Sequence, residues 1–215
     1  MDALDAWLDV IARDGWAAAR LGAVADLAGI RASAVVEELP DRWSVLQRYG
    51  ERLDRAALAE AGVDSTASVR DRLFAMFMER FDAAQSHRAA AQALAVAARR
   101  DPGLAVFMLA TVGLSVARMA DAAGVKTTGW LGPARVQMLT LLLLQVSRTW
   151  LDDESADLAA TMKALDAQLA RAEGVARYFS RDQSAGLDDV SMDSMHVDGV
   201  TVVEAPRSVG DPAME

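Results

Sequence analysis

Residues 15–46, GWAAARLGAVADLAGIRASAVVEELPDRWSVL, constrain the fold more than any other stretch of the chain. Two short apolar-patterned segments meet at Gly29, and the second stops at Pro40. A glycine takes positive φ easily and so can turn one helix into the next. A proline cannot continue a helix, and Asp41 is placed to cap the one that follows. The pattern predicts a helix over about 17–28, a turn at Gly29 and a short helix over 32–39. That is a helix-turn-helix in outline, with a first amphipathic helix over 2–13 (Leu4, Trp7, Leu8, Ile11) before it.

The remainder reads as long amphipathic helix. A fourth helix is expected over about 42–61 and a fifth over 66–84. The fifth carries Val69, Leu73, Phe77 and Phe81 at strict i, i+4 spacing. A sixth is expected over 86–100. Asp101-Pro102 is a start signal, an acid cap with proline at the first helical position. The helix it opens, to about 123, is apolar nearly all round and is expected to be central. Further helices are predicted over 133–151 and 156–179. With 53% hydrophobic and only 6% aromatic residues, the composition agrees with an all-α fold.

Charge divides the chain. From 180 to 215 there are two arginines and eight acids, so this segment holds −6 of the net −9. The body is then near neutral, which neither demands nor forbids nucleic acid. After Ser180 the apolar pattern breaks, and only Val200–Val203 looks strand-like, so 180–215 is expected to be a largely disordered acidic tail. Cysteine is absent, and His87 and His196 stand far apart, so thiol chemistry and a metal cluster are not expected. The run Val136–Val146 is about eleven residues, short of the roughly 20 that span a bilayer. No secretory leader is visible at the amino end. A cytoplasmic protein with no stable membrane insertion is expected.

The order of these elements resembles the TetR family of bacterial transcription regulators. The resemblance rests on Gly15, Val24-Ala25, Ala28-Gly29-Ile30, Leu39-Pro40 and Leu46. It implies an all-α, TetR-like fold. A three-helix helix-turn-helix domain (1–50) would precede a larger helical domain (51–179) that binds ligand and dimerises. A second, patchier resemblance is to the Coq-nine type ubiquinone-biosynthesis accessory family. It rests on GW (15–16), RDRLFAMFMERFD (70–82), AG (123–124) and RTWLDDESADLAATMKALDAQL (148–169). That family keeps the TetR fold and handles lipid rather than DNA. Its carboxy-terminal amphipathic membrane helix is not evident after Phe179.

Reading DNA requires donors on the recognition helix. TetR-type third helices typically carry a Lys near the start, a Tyr midway and a His or Arg later. The matching positions here are Ala32, Val36 and Glu38. Arg31, Ser33 and Arg42 remain as candidate DNA contacts. Residues 1–55 hold seven arginines, no lysine and ten acids, a poor phosphate clamp. The alternative is a retained scaffold, with Val35, Val36 and Leu39 packed inward.

For a hydrophobic ligand the candidate lining is Phe74, Phe77, Met78, Met108, Met119, Trp130, Met138, Leu142 and Trp150. An ordinary core explains such stripes as well. Val136–Val146 also fits a dimer face, and Arg135 and Gln145 could hold a polar ligand group. His87 reads as a capping or solvated histidine, and Asp152-Asp153-Glu154 as a cap with a solvated turn. No catalytic constellation appears, so no enzyme activity and no cofactor are expected. The expected partners are a second copy of the chain, as a homodimer, an operator duplex, and a hydrophobic small molecule or lipid.

Overall fold

The computed structural model describes residues 1–59 and 66–188, with side chains to Gly174. Among these residues every regular element is helical: α1 (Ala3–Asp14), α2 (Leu21–Ala28), α3 (Ala32–Glu38), α4 (Arg42–Ala59), α5 (Val69–Ala84), a 3-10 turn (Gln85–His87), α6 (Arg88–Ala98), α7 (Pro102–Ala122), α8 (Gly132–Asp152) and α9 (Ala159–Asp188). Met1–Ala176 forms one unit, and the chain from Arg177 groups separately.

Local chemistry sets most boundaries. Asp2 accepts the Asp5 backbone N–H at 2.7 Å and caps α1. Ser68 accepts the Asp71 N–H and caps α5, so that helix begins at Val69, three residues later than expected. The alternative cap at Asp64-Ser65 lies outside the described residues. Asp101 accepts the Leu104 N–H at 3.0 Å with Pro102 in the first turn, as the sequence predicts. Helix α2 starts at Leu21 rather than near 17, because Gly15 to Arg20 forms a turn in which Ala19 donates back to the Gly15 carbonyl. The sixth helix is shorter than expected, since 85–87 winds as 3-10. Helix α9 continues past Ser180 to Asp188. Extending an existing helix costs far less than starting one, so the acidic composition there does not stop it. Val200–Val203 and His196 lie outside the described residues.

The core is continuous through Met1–Ala176. Helix α1 buries Leu4, Trp7, Leu8 and Ile11, α5 buries Leu73, Phe77 and Phe81, and α8 buries Leu139, Leu142, Leu143 and Val146. Helix α7 departs from expectation. It buries Leu104, Val116 and Met119 but leaves Val106, Leu109 and Leu114 exposed. Its neighbours cover one side only. By length and composition it is apolar enough to cross a membrane, with mean hydropathy 1.7 and 28% of that window buried.

Two polar clusters tie the helices together. Asp54 on α4 is buried and accepts Arg80 Nη1 at 2.5 Å, Ser115 Oγ at 2.9 Å and Arg118 Nη1 at 2.9 Å. It thereby joins α4, α5 and α7. Burial lowers the Arg80 guanidinium from its ordinary value, and Asp54 opposes that shift. Burial also pushes the nearby Tyr49 hydroxyl up to about 12.

The second cluster closes the α8–α9 junction. Asp153 is buried and accepts from the Ser155 N–H and Oγ and from the Thr161 N–H and Oγ1, at 2.5–3.1 Å. The hydrogen bonds from Ser155 and Thr161 hold its carboxyl well below the usual value of 3.8. A depressed carboxyl stabilises the fold above its unfolded value, and that contribution disappears as pH falls through the folded one. Asp153→Ala is therefore expected to be less stable than the parent at pH 7. The gap in urea midpoint narrows below about pH 4; a gap that stays constant with pH would refute this assignment.

Candidate functional site

The amino-terminal surface is built by a local device. Gly29 sits in the left-handed region at φ 69°. Ile30 N–H reaches back to the Ala25 carbonyl at 3.2 Å, and Gly29 N–H reaches that of Asp26. This is a Schellman-type ending, and it sets α3 at a turn from α2. Val35 and Leu39 anchor α3 in the core. Its outward positions are Ala32, Ser33, Val36, Glu37 and Glu38. Val36 therefore faces solvent, not the core as the scaffold alternative supposes.

The candidate DNA contacts separate into two kinds. Arg31, flanking the start of α3, and Ser33 are exposed. Arg42 is engaged: its guanidinium lies 5.0 Å from the Trp16 ring centroid and donates to the Trp16 carbonyl at 3.4 Å. Arg20, just before α2, is a further exposed guanidinium, which periodicity does not single out because it lies outside both helices. Among the described residues neither Arg20 nor Arg31 makes an ion pair, whereas Arg52 is held by Asp2 and Asp5 and Arg48 by Glu51.

This surface is wired to the helices behind it. Trp16 meets Trp43 edge-on at 5.4 Å, and Trp43 meets Phe107 of α7 at 4.9 Å. His87 Nε2 lies 3.2 Å from Asp5 Oδ1 and packs against Tyr49, so it is a bridging group, not a solvated one.

A cavity of about 390 Å3 opens between the start of α5, the α7–α8 linker, the first half of α8 and α9. Leu73, Met138, Leu139 and Leu169 give it an apolar wall, and Arg70, Lys126, Arg135 and Glu173 line it as well. Arg72 holds its frame: Nε and Nη2 donate to the Ala123 carbonyl at 3.0 and 2.8 Å, and Nη1 donates to the Ala67 carbonyl at 2.7 Å. The end of α7 is thus fastened to the start of α5. Gly132 lets the linker fold back onto α8, since a Cβ there would stand 1.9 Å from the Thr127 carbonyl oxygen.

Of the nine candidate ligand residues, only Met138 lines this cavity. Phe77, Met119, Leu142 and Trp150 are buried core, while Phe74, Met78 and Met108 pack half-buried against it. Trp130 is 83% exposed on the linker. Arg135 does line the cavity, and Gln145 lies exposed on α8.

No protein-family model and no curated protein sequence matches the chain. Solved structures do. A TetR transcriptional regulator from Nitrosomonas europaea is 18% identical, with TM-score 0.65, covering 80% of this chain and 95% of that one. A TetR transcriptional regulator from Rhodococcus sp. RHA1 is 16% identical, with TM-score 0.50, covering 78% and 93%. A second transcriptional regulator from Rhodococcus sp. is 23% identical, with TM-score 0.50, covering 79% and 92%. Through most of its length, from the turn at Gly29 to the helices around the cavity, this chain has the fold of TetR-type transcriptional regulators.

Proposed function

We propose that the protein is a dimeric, ligand-responsive regulator of transcription that works in the cytoplasm and docks α3 on duplex DNA. The observation that carries this reading is the Gly29-turned pair α2–α3, which leaves Arg31, Ser33 and Arg20 exposed and unpaired by acids. Residues 1–50 form the DNA-reading module in this proposal, 51–179 the ligand and dimer module, and 180–215 an acidic tail. Ligand in the second module shifts the spacing of two recognition helices and so lowers affinity for an operator. The aromatic chain Trp16–Trp43–Phe107 supplies a physical route between the modules.

A second reading has its own observation. The outward face of α3 presents Val36, Glu37 and Glu38, and Arg42 is committed to Trp16. Two carboxylates at that face repel phosphate. They favour a TetR-fold lipid-binding accessory protein that has lost DNA, as the Coq-nine resemblance implies.

A mobility-shift assay against the DNA flanking the gene, at two salt concentrations, separates the readings. The regulator binds a duplex, and binding weakens with salt. Arg31→Ala weakens it further and lowers the salt slope by about 1. Absence of any shift at low salt would sink the regulator and leave the lipid-binding reading.

A further inference from the structure

We infer that the cavity takes a single-chain amphipath with an anionic head, of the fatty carboxylate or alkyl phosphate class. This deepens the ligand half of the function proposed above.

The shape of the lining argues for a flexible chain. Its wall is aliphatic, from Leu73, Met138, Leu139 and Leu169, and none of the described lining residues is aromatic. Among these residues a planar ring finds nothing to stack on. Met138 is unbranched and adapts its thioether to a moving chain. The volume of about 390 Å3 lies within the range of small-molecule sites.

The charges argue for an anionic head. Among the described residues three cations line the cavity against one carboxylate, Glu173. Arg70 is already engaged by Asp166 at 2.7 Å. Arg135 is tied to the linker that carries Lys126, because Arg135 Nη1 donates to the Lys126 backbone carbonyl at 3.0 Å. Among the described residues neither makes an ion pair, and Lys126 is exposed. Two cations on the wall of an otherwise aliphatic cavity match a carboxylate or phosphate head whose tail lies against Leu73, Met138, Leu139 and Leu169. A neutral alcohol leaves them unmatched, and an alkylammonium is repelled. Gly132 and Arg72 hold the two anchors of the linker that carries Lys126.

Titration calorimetry on the full chain, below the micelle concentration, tests the assignment. The probes are dodecanoate, dodecyl phosphate, dodecanol and dodecyltrimethylammonium. Dodecanoate and dodecyl phosphate are expected to bind at least about tenfold more tightly than the other two, since charge-assisted hydrogen bonds separate them. Whichever of the two anions binds better identifies the head. From octanoate to dodecanoate, affinity rises about fourfold per added methylene. Lys126→Glu lies on the surface and is expected to keep the parental melting temperature while losing at least about tenfold for dodecanoate and nothing for dodecanol. Met138→Trp fills the slot and abolishes binding of all four. Equal affinity for dodecanoate and dodecanol, no heat with any probe, or an unchanged dodecanoate affinity in a folded Lys126→Glu protein would overturn the proposal. The titration contains no DNA, so a failed mobility shift leaves its result standing, and a failed titration leaves the DNA result standing.

Discussion

Asp54→Ala is expected to cost about 3–5 kcal/mol of stability. Asp54 is the shared acceptor of Arg80, Ser115 and Arg118. Removing it leaves the Arg80 guanidinium buried without its counter-charge. Arg118 is mostly exposed and turns to water at little cost. The asymmetry gives the prediction its edge. A double variant, Asp54→Leu with Arg80→Met, replaces both charges with apolar groups. It should recover most of the loss, because a buried ion pair is often no better than well-packed hydrophobes. Urea denaturation of the single and double variants checks this. A double variant as weak as Asp54→Ala would show that the pair contributes more than mutual compensation.

Gly132→Ala is expected to be nearly as damaging, for a steric reason. The added Cβ would lie 1.9 Å from the Thr127 carbonyl oxygen and 2.4 Å from its carbon, both backbone atoms. Backbone cannot swing aside as a side chain does, so either the linker or the first turn of α8 must move. Overpacking of this severity costs about 3 kcal/mol or more. For a chain of this size that lowers the melting temperature by about 6–12 °C. Gly113 in α7 is the control, since a Cβ there meets nothing within 4 Å. Gly113→Ala should stabilise by about 0.5–1 kcal/mol through helix propensity. Calorimetry that found both alanines equally tolerated would rule out the close approach at Thr127.

What the sequence discloses follows from how local each device is. The turn at Gly29, the stop at Pro40 and the start at Asp101-Pro102 each use residues within about five positions, so their chemistry is written side by side. The Asp54–Arg80 pair spans 26 residues and the Arg72–Ala123 contact spans 51. No periodicity can pair them. The cavity draws on four segments from Ser68 to Glu173, and a helical stripe cannot tell a core methionine such as Met119 from a cavity methionine such as Met138. The apolar circumference of α7 suggested burial, but burial also depends on how many neighbours surround a helix, which its own sequence does not record. Arg31 and Arg42 look alike in the sequence. Both are exposed, and only the position of Trp16, 26 residues before Arg42, shows that Arg42 is the one held on a ring.

The exposure of Trp130 gives the molecule an optical handle. Trp7, Trp16 and Trp150 are buried and Trp43 is half-buried, whereas Trp130 stands in water. Its emission lies to the red of theirs, and a dissolved quencher such as iodide reaches it first. The same linker contributes Gly124, Val125 and Lys126 to the cavity wall. A change in that linker is therefore open to measurement in the native fluorescence of one indole, without a label.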